Sequence, residues 1–372
     1  MKKIIFYFIL VFFFPVFIFA TDLILTKLVF KDYHFFKINE KRAPKKQFYR
    51  VKNKHYHHGF LPNIDVIEEN IGYNPYRFIT NSLGFKDSEV RKINLKKKNY
   101  RIVFIGDSFT EGVLLNYRDT FVGIIDKELK NENIEVLNAG VGSYHPSIYF
   151  DKISYLINNI NLEFDELVVF IDISDAYDEF EKDIIENKTT YIKKLTYFEK
   201  IVRFIKSNLV LTYTLLNYVH DIIQNEYLNN PDNFIIHMSE KNIRTPGWTF
   251  DKEIYDEYGE KSLKEMKIKM QQLVDLCNKN NIKIILAVYP WFQEIYHNNL
   301  DSIHVNFWEN FSKDNDIDFI NFYPFLFDEN KQNNLKRNIE IIKKYYIPYD
   351  VHFNKIGNKL IADNFLEYYK NR

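Results

Sequence analysis

Residues 101–113, RIVFIGDSFTEGV, run from an apolar stretch straight into Gly106, Asp107 and Ser108. Ile102, Val103, Phe104 and Ile105 in succession suit a strand buried on both faces, the pattern of a parallel sheet covered by helices. Such a strand has one natural place for a polar side chain, its carboxyl end, and in open parallel sheets the ligand crevice lies just beyond that end. Gly106 would let the chain turn, and a following helix would offer backbone N–H groups. Ser108 therefore falls where a nucleophile is useful.

Outward from this stretch, apolar strands alternate with amphipathic helices. Further strands are predicted at IEVLNAGV (134–141), DELVVFIDIS (165–174), IKIILAVYP (282–290) and IDFINFY (317–323). Helices are predicted at 118–131, 147–159, around 300–312 and from about Lys355. Leu263, Met266, Met270, Leu273 and Cys277 recur three and four residues apart, a single helical face that makes Cys277 a core residue. The fold class is therefore α/β: a three-layer α/β/α sandwich on a mainly parallel five-stranded sheet. Between about 175 and 257 the alternation pauses, and two apolar helical stretches (198–206 and 208–224) form a helical insertion.

The chain of 372 residues has 50 basic and 50 acidic residues, so no net field would recruit nucleic acid. One cysteine excludes an internal disulfide and a cysteine-rich zinc site. Lys2 and Lys3 precede an apolar run from Ile4 to Ala20 that resumes after Asp22, which reads as an export signal over residues 1–30. Ile18 is too large for the −3 position of a cleavage site ending at Ala20, so an uncleaved membrane helix is favoured over a signal peptide whose removal would make the protein secreted. The positive-inside tendency then puts residues 99–372 outside that membrane, periplasmic or at the cell surface. Residues 31–98 read as a stalk and an irregular lead-in to the main domain. His55, His57 and His58 in HYHHG read as loop or packing histidines rather than a metal site.

A serine hydroxyl attacks only when a base takes its proton and donors receive the charge formed on the substrate oxygen. His352 in YDVHFN is the candidate base, with Asp350 two residues earlier as the acid that orients the imidazole, and Asp107 as a second candidate partner. A phosphate-loop reading of GDSFTEG fails because no lysine follows Gly112. Asp172, Asp175, Asp178 and Glu179 lack the spacing of a calcium loop and read as a solvated or network-forming acidic loop. No cofactor and no metal are expected.

Gly106-Asp107-Ser108-Phe109-Thr110 resembles the first block of the GDSL, or SGNH, hydrolases, and Asp350-Val351-His352-Phe353-Asn354 resembles their last block. The resemblance spans about 99–372 apart from the insertion. It implies a flavodoxin-like fold and a serine esterase or acyltransferase in which Ser108 attacks an acyl carbonyl, His352 is the base and Asp350 its orienter. The oxyanion donors it implies are the N–H of Ser108, the N–H of Ser143 at the glycine position of the second block, and Ser174 in place of the third block's asparagine. A hydroxyl is a less fixed donor than an amide. The two-residue spacing of Asp350 and His352 resembles that of the family's sugar-acetylating members.

These readings converge on an exported, membrane-anchored enzyme acting on short acyl esters, above all acetyl, of an envelope or surface saccharide, with Trp248 and Trp291 as candidate sugar-stacking residues. Two alternatives stand beside it: a degenerate member that binds glycan or partner proteins, and a lipid esterase with the apolar insertion as its lid.

Overall fold

The computed structural model describes residues 16–28, 47–69, 73–186, 197–327 and 334–372. Its strands are β1 (Arg50–Asn53), β2 (His57–Phe60), β3 (Asp65–Glu68), β4 (Tyr76–Ile79), β5 (Arg101–Ile105), β6 (Glu135–Asn138), β7 (Glu166–Ile171), β8 (Lys283–Val288) and β9 (Asp318–Asn321). The helices begin with α1 (16–28), α2 (Ser108–Glu111), α3 (Phe121–Leu129), α4 (Pro146–Asn158), α5 (Asp175–Glu186), α6 (Tyr197–Asn208) and α7 (Val210–Leu228). They continue with α8 (Pro231–Glu240), α9 (Lys252–Ile254), α10 (Glu260–Lys279), α11 (Phe292–Tyr296), α12 (Ile303–Asp314), α13 (Leu335–Tyr345) and α14 (Lys355–Asn371). Two compact units result, Met1–Lys46 with Thr190–Asn233 and Gln47–Thr189 with Phe234–Arg372.

In the larger unit the five central strands are parallel and ordered β6-β5-β7-β8-β9. Every residue of β5 and β7 is buried, as a sheet covered on both faces requires. α3 and α14 pack together over one face, where Phe104 meets Phe365 at 5.3 Å and Phe170 meets Phe121 at 4.6 Å between ring centroids. α4, α5 and α10 form the opposite layer. The expected stripe of α10, Leu263 through Cys277, is buried along its length. β5 lies between β6 and β7, so the direction of winding reverses beside it, as in a doubly wound sheet. α13 has no counterpart in the sequence reading.

The expected irregular lead-in is corrected over residues 47–98. β1 pairs with β2 and β3 with β4 in two antiparallel hairpins. Tyr49, Phe60, Tyr76 and Phe78 are buried, and Tyr49 stacks on Phe78 at 4.4 Å. Four-residue strands are too short for alternation to rise above the polar background, which is why the sequence concealed them. The stalk, residues 31–46, lies outside the described residues.

In the smaller unit Asp22 accepts the N–H groups of Leu211 (3.0 Å) and Thr212 (2.8 Å), and Thr26 Oγ1 accepts that of Val210 (2.9 Å). Two side chains of α1 therefore satisfy the free donors at the start of α7, the role a capping residue plays locally. Among the described residues no helix is long and apolar enough to cross a membrane. Residues 1–15, which carry most of the expected anchor, lie outside the described set.

Met270 sits at the centre of the α10 stripe with no exposed surface. Met270→Ala is expected to destabilise the larger unit by about 2–5 kcal/mol. Urea unfolding would show this as a lowered midpoint at constant slope.

Candidate active site

β5 delivers Ser108, the expected nucleophile. Gly106 is required by close approach rather than by a left-handed backbone: a Cβ there would lie 2.2 Å from Thr110 Oγ1 and 2.9 Å from the Phe170 carbonyl oxygen. Asp107 caps α2 by accepting the N–H of Phe109 at 2.9 Å, and Gly112 ends that single turn in the left-handed region (φ 73°). Ser108 is thereby the first residue of a tightly bounded turn at the sheet's carboxyl edge.

His352 reaches the same edge from the loop before α14. Its Nε2 lies 2.8 Å from Ser108 Oγ, and its Nδ1 donates to Asp350 Oδ1. Asp350 also accepts the backbone N–H of His352 at 2.9 Å and the hydroxyl of Tyr73 at 3.4 Å. The Nδ1–H bond to Asp350 leaves Nε2 as the unprotonated nitrogen facing the serine, the tautomer a general base needs. Phe109 packs on the imidazole with ring centroids 4.8 Å apart. Burial works against a charged imidazole, yet Asp350, with Asp107 and Asp172 behind it, holds the His352 pKa above its ordinary value.

Asp107 also touches the nucleophile, its Oδ2 lying 2.9 Å from Ser108 Oγ. One hydroxyl proton can serve one acceptor at a time. Burial, reinforced by the charge of Asp172, pushes the Asp107 carboxyl above the ordinary carboxylate range. Asp350, not Asp107, contacts the imidazole nitrogen.

Asp107, Asp172 and Asp175 bring carboxylate oxygens within 4.8 Å of one another, all three buried. The groups closing on them are donors: Tyr289 OH, 2.8 Å from Asp172 Oδ2 and 3.1 Å from Asp107 Oδ1 with one proton to give to either, Trp291 Nε1 to Asp172 (2.8 Å), and Tyr149 OH to Asp175 (2.8 Å). Donors aimed at every member suit shared protons better than a cation. The expected acidic loop is corrected, because Asp175, Asp178 and Glu179 lie on α5 and only Asp172 precedes it; Glu179 accepts separately from Ser147 (2.6 Å) and pairs with His145 (2.7 Å).

The three expected oxyanion donors divide. The N–H groups of Ser108 and Ser143 are given to no described residue. A Cβ placed on neighbouring Gly142 would lie 3.4 Å from Ser108 Cβ, so this loop abuts the nucleophile. Ser174 is different: its N–H and its hydroxyl both go to Asp172 Oδ1 at 2.6 Å, leaving no proton for a substrate oxygen. Trp248 and Trp291 are corrected as sugar-stacking candidates, because both are buried and their Nε1–H groups serve the Ile173 carbonyl and Asp172. His55 stacks on Tyr155 and His58 bonds to the Gly142 carbonyl, in keeping with packing histidines. Tyr289 and Tyr73 escaped the sequence reading. Tyr289 directly follows β8, so the rule that singled out Ser108 at a strand's carboxyl end would have found it.

No family model matches the chain, and no curated protein matches it. Among solved structures it is similar to the esterase EstA from Pseudoalteromonas sp. (12% identity over 73% of this chain and 98% of that one, TM-score 0.37). It is also similar to a GDSL-like lipase from Bacteroides thetaiotaomicron (16%, 75% and 92%, TM-score 0.36) and to the acetylxylan esterase Axe2 from Geobacillus stearothermophilus (13%, 74% and 95%, TM-score 0.37). Likeness of this extent carries no argument about chemistry, which rests on the side chains described above.

Because the base must be neutral, activity is expected to rise with pH through a His352 pKa above the ordinary imidazole value. Asp350→Asn removes the adjacent charge that raises it, so the acid limb should move to lower pH while kcat falls roughly 10²- to 10⁴-fold. A pH–rate profile of the pair checks both effects.

Proposed function

We propose that the protein is an exported, membrane-anchored serine esterase or O-acyltransferase acting on short acyl esters, above all acetyl, of an envelope or surface saccharide. The observation that carries the esterase reading is the unbroken chain Ser108–His352–Asp350 with the N–H groups of Ser108 and Ser143 given to no described residue. In the step this geometry supports, His352 Nε2 takes the Ser108 proton as Oγ bonds to the acyl carbon. The developing oxyanion is received by the N–H groups of Ser108 and Ser143, and the imidazolium is stabilised by Asp350. His352 then returns the proton to the departing alcohol oxygen. Water completes hydrolysis of the acyl-serine, or a second sugar hydroxyl completes transfer.

The acetyl and saccharide parts rest on the Asp350–His352 spacing, which resembles that of sugar-acetylating family members. The engagement of Ser174 by Asp172 removes one implied donor and favours, as a second reading, a binding protein with slow or no turnover. Losing one oxyanion donor costs about 3–4 kcal/mol of transition-state stabilisation, which slows an esterase without abolishing it. Anchoring is supported by the N-terminal apolar run and by α1, whose Val16, Phe17, Ile18 and Phe19 are all exposed. α6 and α7 add Ile201, Phe204, Leu215 and Tyr218, exposed apolar side chains that would also suit a lipid esterase.

A fluorophosphonate probe is expected to label the wild type and not Ser108→Ala; labelling that survives the substitution removes Ser108 as nucleophile. Acetyl esters should outrun long-chain acyl esters, and the reverse order would favour the lipid esterase. The full chain is expected to float with phosphatidylethanolamine/phosphatidylglycerol vesicles after an alkaline carbonate wash. A chain left at the bottom of the gradient is not anchored.

A further inference from the structure

Val141–Tyr144 forms a turn closed by the Tyr144 N–H to the Val141 carbonyl at 3.1 Å, with Gly142 and Ser143 at its centre. Ser143 takes the left-handed conformation (φ 64°), which gives the turn the pattern of type II. That type wants glycine at its third position. Here glycine stands second and a serine third, so the local sequence does not favour type II, and its counterpart type I differs from it by a reversal of the central peptide plane. The central peptide joins the Gly142 carbonyl to the Ser143 N–H.

Something outside the turn must therefore hold that plane, and the first hairpin does. His58 on β2 lies with Nε2 2.9 Å from the Gly142 carbonyl oxygen. A carbonyl only accepts, so Nε2 carries the proton, Nδ1 is an acceptor, and His57 Nδ1, 2.7 Å away, donates to it. Burial first, and then the neighbouring cations, push His58 down to about 4, so it stays in this neutral form across the working range. The His58 carbonyl accepts the hydroxyl of Tyr144 at 2.5 Å, and the two rings meet edge to face at 5.0 Å. The preceding peptide is held as well: the Gly142 N–H donates to Glu111 Oε2 at 2.7 Å, and Arg50 of β1 clasps the Glu111 carboxylate at 2.9 and 3.1 Å.

In a trans peptide the C=O and N–H point in opposite directions, so fixing one fixes the other. Resting on the serine-esterase reading above, we propose that His58 is a positioning residue of the oxyanion site: by holding the Gly142 carbonyl it turns the Ser143 N–H toward the acyl oxygen at Ser108. Without it the peptide relaxes toward the type I form, which withdraws the N–H and presents a carbonyl in its place. The hairpin is thereby part of the catalytic apparatus although none of its residues touches the reacting atoms.

The test compares wild type, His58→Phe and His58→Gln. Phenylalanine keeps the ring against Tyr144 and loses the donor, whereas glutamine restores an N–H at similar reach. With a generic acetyl ester, His58→Phe is expected to lower kcat roughly 10- to 100-fold at unchanged KM and unchanged melting temperature, with His58→Gln recovering most of the loss. Crystal structures of the wild type and His58→Phe should show the Gly142–Ser143 peptide reversed in the variant. Wild-type kcat in His58→Phe, or an unaltered peptide plane, overturns the proposal. A wild type lacking Ser108-dependent turnover overturns the esterase reading on which it rests, and the crystal comparison still decides whether His58 sets the turn.

Discussion

A strand buried on both faces can show a polar side chain to solvent only where it ends, and that constraint organises the larger unit. β5 and β7 are wholly buried, so the polar groups that follow them, Asp107, Ser108, Asp172 and Asp175, are forced together at the carboxyl edge of the sheet. Burial, reinforced by the charge of Asp172, raises the pKa values of Asp107 and Asp175. His352 approaches from the opposite side with its own carboxylate, Asp350, which its charge holds below the usual carboxylate range although burial opposes this. Two acidic environments thus meet at one serine: a buried carboxylate cluster with raised pKa values, and Asp350, whose pKa is lowered beside the histidine.

The parts legible in the sequence are those with a local cause. The parallel sheet follows from unbroken apolar runs, the α10 face from its three- and four-residue spacing, and Ser108 from its place after β5. His352 and Asp350 were found because two blocks occur in one chain. Trp291, Glu111 and His58 were not assigned their roles, because each acts through a partner 31 to 119 residues away that no local pattern encodes. Trp291 shows the cost of judging by residue type: an aromatic beside a presumed sugar site is in fact a buried donor to Asp172. Ser174 stands where the family pattern has an asparagine, and only the coordinates reveal that Asp172 occupies its hydroxyl.

The hairpins before β5 show how a polar, weakly patterned segment can still be built into the larger unit. Lys86, buried beside Tyr76 and Phe78, donates to the carbonyls of Gly112 (2.6 Å) and Leu115 (2.8 Å) just past α2. With Arg50 on Glu111, this puts two cations of the same segment around the turn that carries the nucleophile. Such groups are costly to bury and are retained only where their bonds are satisfied.

The 2.8 Å contact between His352 and Ser108 joins residues 244 positions apart. Contacts of that sequence separation form late, after the entropy of closing the intervening chain has been met by the rest of the sheet. Until then the serine is an ordinary alcohol. Only the folded chain brings the imidazole to that hydroxyl, so the one contact reports whether β5 and the loop before α14 have come together.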